Sequence, residues 1–279
     1  MDTIFGSGDG SLITTSIIGL SLFALTYSVW GGLSAVAWTD VVQVIILILG
    51  GILMTGIALS YVTPSGGIID GLSYVYNAVP ERFSMILEKG QIITPDGRDA
   101  YFDLPGIAVL IGGMWIANTY YWGFNQYIIQ RTFAAKSLGE AQKGIAFAAF
   151  LKLIIPIFVV LPGIIAYVIN LDPSTGELMK VLPEGFTSSD GRILNDNAAP
   201  WLIKNYIPVG IKGLILAALA AAIVSSLASM LNSTSTIFTM DIYKEYINKN
   251  ATDSELVKTG RIVVIISLFI AMIIAPAFG

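Results

Sequence analysis

The chain has 279 residues, of which 55% are hydrophobic and only 12% are charged, with a formal net charge of −4. Soluble domains carry about 25% charged residues, so this composition excludes an ordinary water-soluble protein and indicates a surface largely covered by lipid. The negative net charge gives no sign of nucleic-acid binding. The sequence contains no Cys and no His, which excludes disulfides and thiolate chemistry and argues against most enzymes.

Six long stretches of the chain are almost free of charge. A helix needs roughly 20 apolar residues to cross about 30 Å of hydrocarbon. Continuous apolar runs favour helices, because the strands of a membrane barrel are shorter and alternate in polarity. The sequence therefore predicts an all-α integral membrane protein with spans near 11–31, 38–62, 106–130, 143–169, 210–238 and 260–279.

The connections between these spans fall into two kinds. The loops after the third and fifth spans are short and contain the basic residues Arg131, Lys136 and Lys143, and Lys244, Lys249, Lys258 and Arg261. The connections 63–104 and 170–209 are long and rich in Asp and Glu. Because basic residues concentrate in cytoplasmic loops, we expect the short loops inside the cell and the two long ones outside. Residues 66–87 have the mixed polarity of a short interfacial helix.

This topology places both ends of the chain outside the cell. The last apolar run stops at Gly279 as it reaches the far interface. We therefore expect residues 1–279 to form a single but partial transmembrane domain, a fragment of a longer protein.

Lys152 is a charged side chain inside the fourth predicted span. It lies about nine residues from the cytoplasmic end of that span, or roughly 13 Å deep. Because charge inside lipid is costly, an ammonium group at this depth needs a wet cavity, an acceptor or a polar ligand. Lys152 is therefore a candidate binding residue. The alternative is that the fourth span begins nearer to Lys152 than predicted, so that Lys152 is simply a lysine at a helix end.

The centre of the third predicted span is unusually polar and aromatic. It reads Asn118-Thr119-Tyr120-Tyr121-Trp122-Gly123-Phe124-Asn125-Gln126. Nearby glycines weaken helix continuity, and discontinuous helices at mid-membrane are where secondary transporters bind substrate. Aromatic faces also stack on sugar rings or cations. This span is a candidate substrate site, with an interfacial aromatic belt as the alternative.

The fifth predicted span contains a run of small residues. Small side chains allow close helix packing, but the hydroxyls of Ser225 and Ser226 and the carbonyl of Ala222 could also bind Na⁺. Asp40, at the start of the second span, has two interpretations as well. It can stabilise the positive end of the helix dipole, or it can attract a cation at the cytoplasmic mouth.

These segments together resemble the solute:sodium symporter family, in particular its bacterial sodium/galactose (sodium/glucose) members. The similarity covers essentially the whole chain. Its motifs are Tyr27-x-x-Trp30-Gly31-Gly32-Leu33 with Thr39-Asp40-x-x-Gln43, Asn118-x-x-Tyr121-Trp122-x-x-Asn125-Gln126 with Gln130-Arg131, and Ala222-x-x-Ser225-Ser226 with Ser235-Thr236, Asp241 and Tyr243.

The resemblance implies a LeuT-type core of ten helices in two inverted repeats, of which this chain would supply core helices 4 to 9. It implies the following roles. Asn118 and Lys152 would bind sugar hydroxyls, and Tyr121 would stack on the sugar ring with Trp122 beside it. Ala222, Ser225 and Ser226 would form half of a sodium site. Asp40 would lie on the sodium exit route, and Arg131 near the inner gate. The other halves of both sites would lie on helices absent from this sequence.

The sequence thus predicts part of a sodium-coupled sugar symporter, not an enzyme, in the inner (plasma) membrane. The expected partners are sodium, a small sugar and membrane lipid, without nucleic acid, and a homodimer is left open. Two alternatives remain: a symporter of the same fold for proline, an inositol or an anion, and a membrane sensor domain.

Overall fold

The computed structural model describes residues 12–84, 86–94, 97–103, 106–107, 109–179, 182–183, 186 and 195–278, with the backbone alone at 27, 32–35 and 278. The α-helices are α1 (Ile13–Ser60), α2 (Ile68–Ala78), α3 (Met114–Thr119), α4 (Gln126–Phe133), α5 (Leu138–Lys152), α6 (Ile155–Val159), α7 (Leu161–Ile169), α8 (Ala198–Tyr206), α9 (Val209–Ile237) and α10 (Asp253–Ile274). Three π-helices are π1 (Val109–Gly113), π2 (Tyr120–Phe124) and π3 (Phe238–Ile247). The fold is all-α, as expected.

Helix α1 contains the first two predicted spans as consecutive parts of one helix. Its 48 residues would measure about 72 Å at 1.5 Å per residue, more than twice the hydrocarbon thickness of about 30 Å. Two segments of it, Ile13–Gly31 and Val36–Ser60, are each long and apolar enough to span a membrane. The residues between them include no proline, and although Gly31 and Gly32 are poor helix formers, the helix continues through them.

The third predicted span, 106–130, is not a single helix. It consists of π1, α3, π2 and α4, and the helical conformation breaks at Asn125, whose backbone is extended (φ −83°, ψ 109°). The Asn125 side chain accepts a hydrogen bond from the Tyr127 backbone N–H at 3.1 Å and so caps α4. None of these segments is long enough to span a membrane by itself.

The fourth predicted span is bent. Helix α5 and the segment Ile155–Ile169 meet at an angle of 44°. Pro156 has no N–H, so the carbonyl of Lys152, four residues earlier, lacks its helical donor. The bend therefore follows from the sequence, and it places Lys152 at the last residue of α5.

Helix α9 continues through π3, so that Val209–Ile247 forms one helical segment of 39 residues, which contains an apolar stretch long enough to span a membrane. Helix α10 begins at Asp253, seven residues before the predicted 260, because Thr252 and Glu255 form a capping box. The Thr252 backbone N–H and hydroxyl both donate to the Glu255 carboxylate. The expected basic loop therefore shrinks, since Lys244 lies in π3 and Lys258 in α10.

The described part of the chain contains four helical segments that could span a membrane, or five if the bent pair counts as one span. The predicted number of six spans differs from this count only because the segment 106–130 is not one continuous helix. The long loop 170–209 also contains helix α8, which the sequence prediction missed. Its residues Trp201, Leu202 and Ile203 are buried.

The main hydrophobic core joins the end of α1 to α2, α7 and α8. Its most deeply buried members include Ala58, Val75, Ile165 and Leu202, which are all fully buried. Met54, Ile203, Ile207 and Ile215 extend this core toward the start of α9. A separate cluster of Leu231, Val264 and Leu268 packs α9 and α10 together, with Leu25 of α1 against it. Helix α9 is thus packed along α1 at both of its ends.

Gly71 of α2 provides a test of this packing. A Cβ atom at Gly71 would lie 2.2 Å from the backbone carbonyl oxygen of Leu59, and a backbone atom cannot give way cheaply. We expect Gly71→Ala to lower the free energy of unfolding by about 1–3 kcal/mol through overpacking. Gly213→Ala in α9 meets nothing within 4 Å and should be neutral or stabilising by about 1 kcal/mol. Thermal unfolding of the complete protein in detergent measures both. Equal melting temperatures for Gly71→Ala and Gly213→Ala would contradict the close approach of Gly71 to Leu59.

Candidate functional site

Lys152 and the aromatic pair Tyr121–Trp122 form the first cluster of the candidate site. The Lys152 ammonium nitrogen lies 4.3 Å from the centre of the Trp122 ring and 5.5 Å from that of Tyr121. The two rings meet edge to face, with centroids 5.2 Å apart. The two distances from the ammonium nitrogen to the ring centres are within the range of cation–π interactions. In the described part of the chain, the Lys152 ammonium group is thus placed against two ring faces.

The local backbone explains how these side chains meet. Tyr121 and Trp122 lie in π2, directly before the break at Asn125, and Lys152 lies at the bend between α5 and α6. Helix α6 is held against α1, since a Cβ at Gly51 would lie 2.6 Å from the Phe158 Cβ. Two helix interruptions therefore face each other, and each leaves backbone groups available to a ligand.

Asn118 precedes this cluster by one helical turn, on α3. Its side-chain amide donates to the Met114 carbonyl of the same helix at 2.9 Å. One amide hydrogen and the amide oxygen remain for another partner. No hydrogen bond joins Asn118 to Lys152 in the described residues, so Asn118 is adjacent to the cluster rather than part of it.

Asp40 is the centre of the second cluster. One of its oxygens accepts a hydrogen bond from Arg131 at 2.6 Å. The other accepts a hydrogen bond from the Ser225 hydroxyl. Arg131 also bonds the hydroxyl of Ser229. The Asp40 side chain is 19% exposed and that of Arg131 is 31% exposed, so this ion pair is largely shielded from water.

The three candidate sodium ligands lie on one face of α9. Ala222, Ser225 and Ser226 follow the spacing i, i+3, i+4, which places them on the same side within about one turn. Ser225 is 7% exposed, and Ser226 is half-buried. Neutral oxygens of this kind suit Na⁺, and Asp40 supplies a carboxylate beside them. Asp40 lies in the interior of α1, which begins at Ile13, so the interpretation of Asp40 as a residue that stabilises the start of a helix is wrong.

Two residues of this cluster were missed by sequence reasoning. Ser229 is fully buried and continues the α9 face one turn beyond Ser225. Gln130 donates to the Ser229 carbonyl at 3.1 Å, next to the Arg131 contact. The i, i+3, i+7 spacing of Ala222, Ser225 and Ser229 could have identified the serine. Nothing local indicates the partner of Gln130, which lies 99 residues away along the chain.

The structure thus gathers the candidate residues into two separate groups. Lys152, Tyr121 and Trp122 form one, and Asp40, Arg131 and Ser225 form the other. Within the part of the chain described here, no hydrogen bond or ring contact joins the groups directly. They are linked along the chain by 114–133, which carries the aromatic residues before Asn125 and Arg131 after it.

Comparison with known proteins identifies the family. The model of the sodium:solute symporter family matches residues 6–278. The chain is 57% identical to a sodium/glucose cotransporter of Vibrio parahaemolyticus over 95% of this chain and 47% of that protein. It is 33% identical to the human sodium/myo-inositol cotransporter 2, over 94% of this chain and 38% of that protein.

A solved structure of a Na⁺-coupled sialic acid symporter, in a substrate-bound outward-open state, has a similar fold. The TM-score is 0.74 at 27% sequence identity, over 95% of this chain and 51% of that one. The chain therefore spans about half or less of the length of these relatives. It belongs to the sodium:solute symporter family.

Proposed function

We propose that this chain is the central part of a sodium-coupled symporter that carries a sugar such as galactose or glucose by alternating access. The observation that carries the proposal is the Lys152–Tyr121–Trp122 cluster at two facing helix interruptions, in a chain 57% identical to a sodium/glucose cotransporter. The family and these relatives are transporters, which agrees with the expectation that the protein is not an enzyme.

The chemistry of the first cluster suits a neutral polyhydroxylated ligand. Aromatic faces cover the C–H faces of a sugar ring, and the edge-to-face pair Tyr121–Trp122 presents such surfaces. The Lys152 ammonium has three donors, and its contacts among the described residues are with the ring faces of Trp122 and Tyr121. Asn118 contributes an amide oxygen and one remaining donor. We propose that Lys152 and Asn118 bind sugar hydroxyls and that Tyr121 closes the site toward the cytoplasm.

Sodium is proposed to bind at Ala222, Ser225 and Ser226. Hard cations prefer oxygen ligands, and a backbone carbonyl and two hydroxyls on one face of α9 supply three of them. Asp40 accepts a hydrogen bond from Ser225 and adds negative charge beside the ion. Sodium would leave past Asp40, which lies between this face and Arg131. The remaining ligands for both substrates would lie on other segments of the complete transporter.

The sodium gradient supplies enough energy for this task. One charge crossing 100 mV gains about 2.3 kcal/mol, and a tenfold concentration gradient adds about 1.4 kcal/mol. Together these maintain a sugar gradient of several hundredfold per sodium ion.

The proposed setting is the inner (plasma) membrane, with the long segments 63–104 and 170–209 outside and the short basic turns inside. Large apolar side chains such as Trp30, Trp38 and Ile111 are more than 70% exposed, which supports contact with membrane lipid or with the rest of the transporter. A homodimer would use part of the same surface.

An inositol is the second candidate substrate, because a relative at 33% identity is a sodium/myo-inositol cotransporter. Inositol is also neutral and polyhydroxylated, so the same cluster could bind it. Competition by unlabelled galactose, glucose, myo-inositol and proline distinguishes these substrates.

The first test measures uptake of labelled galactose or glucose by the complete transporter in proteoliposomes. An inward sodium gradient should raise the initial rate at least about tenfold over choline, since each sodium ion contributes several kcal/mol. Collapsing the gradient with a sodium ionophore should abolish accumulation. Uptake that proceeds equally in choline would overturn the proposal.

The second test replaces Lys152. Lys152→Ala removes the hydroxyl donor and should lower sugar uptake by about tenfold or more, since a charged hydrogen bond contributes about 1.5–3 kcal/mol. Sodium binding, measured with ²²Na⁺, should remain. The matched control is Lys143→Ala on the same helix, which breaks only an exposed ion pair with Glu140. Equal losses in both variants would remove Lys152 from the site.

The third test concerns the hydroxyls of α9. Ser225→Ala and Ser226→Ala should each raise the half-saturating sodium concentration by about tenfold, because each removes one oxygen ligand. Thr234→Ala on the same helix removes a hydroxyl that donates to the Met230 carbonyl and should leave the sodium dependence unchanged. Unaltered sodium dependence in both serine variants would place the ion elsewhere.

A further inference from the structure

Both oxygens of the Asp40 carboxylate are in use, and they face two different elements. One accepts from Ser225, a proposed sodium ligand on α9. The other accepts from the guanidinium of Arg131 on α4, at 2.6 Å. A sodium ion held by Ser225 would therefore lie beside a carboxylate that a cationic side chain of the protein also binds.

Arg131 reaches α9 only one turn from the proposed sodium ligands. It bonds Ser229, four residues after Ser225, a rise of about 6 Å along the helix. The carboxylate and guanidinium together carry no net charge. Adding sodium leaves one net positive charge in a place mostly shielded from water, where like charges repel more strongly than in bulk solvent. Sodium and Arg131 should thus compete for Asp40.

From this geometry we infer that the guanidinium of Arg131 neutralises the Asp40 carboxylate when sodium leaves. Arg131 would then act as an internal counter-cation that permits the empty transporter to reorient. The inference rests on the proposed function. An unpaired carboxylate inside a membrane protein is costly, so an empty carrier without Arg131 would reorient slowly. Arginine suits this role because it stays protonated in any surroundings.

A purely structural role for Arg131 predicts something different. Arg131 and Gln130 tie α4 to α9, so a variant that only loosened this packing would impair every mode of transport equally. A counter-cation is needed only when the carrier moves without sodium. Exchange of sugar across the membrane, with sodium saturating on both sides, uses the loaded carrier alone.

The experiment compares net uptake with exchange for Arg131→Gln in the complete transporter. Sodium-driven net uptake of galactose should fall at least about tenfold, in line with the cost of removing one partner of a shielded ion pair. Exchange of labelled for unlabelled galactose should fall far less, because sodium then supplies the positive charge beside Asp40. The half-saturating sodium concentration for exchange should fall, because a competitor is gone. Arg131→Lys should restore part of the net uptake.

Arg98→Gln is the matched control, since it removes an arginine from an exposed ion pair with Asp103, and it should change neither measurement. Equal loss of net uptake and exchange in Arg131→Gln, or no loss of net uptake, overturns the inference. Absence of sodium-dependent uptake in the unaltered transporter instead overturns the proposed function.

A second variant tests the inference even if Arg131→Gln fails to fold. Ser229→Ala keeps every charge but removes one partner of the guanidinium, at a buried site where alanine fits. It should lower the half-saturating sodium concentration about two- to tenfold, the effect of losing one hydrogen bond that held the competitor. An unchanged or higher value counts against the inference.

Discussion

The carboxylate of Asp40 joins three helices that are far apart in the sequence. Through Ser225 it contacts α9, and through Arg131 it contacts α4, while it is itself part of α1. A charge in a mostly shielded position must have partners, so this group holds α4 and α9 in contact with α1 at this point. The packing of Leu231 and Met54 at the two ends of α9 then completes the same arrangement.

A second constraint acts on the backbone. Inside a membrane each freed N–H or C=O group needs a partner, a wet cavity or a ligand. The chain interrupts its helices at Asn125 and beside Pro156, and these interruptions border the aromatic–lysine cluster. Regular α-helix surrounds the packed cores, and irregular backbone occurs where a substrate is proposed to bind. The proposed substrate site therefore lies beside two of the irregular segments of the backbone, π2 and the bend at Pro156.

Sequence reasoning predicted the features that depend on composition. The apolar runs and the all-α fold follow from the cost of polar groups in lipid. The same cost singled out Lys152 and the segment 106–130 as candidates, and the structure brings Lys152 against Tyr121 and Trp122. The partner of Lys152 was left open among a cavity, an acceptor and a ligand, because ring faces carry no local signature. The Asp40–Arg131 pair spans 91 residues, and only the packing of three helices brings it together.

Other misses have local causes. Helix α8 was assigned to a loop because polar and glycine-rich residues precede it, although its Trp201 and Leu202 belong to the main core. The start of α10 was placed late because Lys258 and Arg261 were assigned to the basic loop. The Thr252–Glu255 capping box, readable in the sequence, indicates the true start.

The break at Asn125 divides the segment 114–133 into two stiff arms that meet at one residue. The arm from Met114 to Phe124 is about 15 Å long, so a rotation of about 10° at Asn125 would sweep its far end through roughly 3 Å. The shorter arm carries Arg131 and is fastened to α9. The joint lets the two arms change their angle while each keeps its own shape. Tyr121 and Trp122 lie within about 6 Å of the joint, so the same rotation would move them by only about 1 Å and would keep the proposed sugar contacts close to the arm that is fastened to α9.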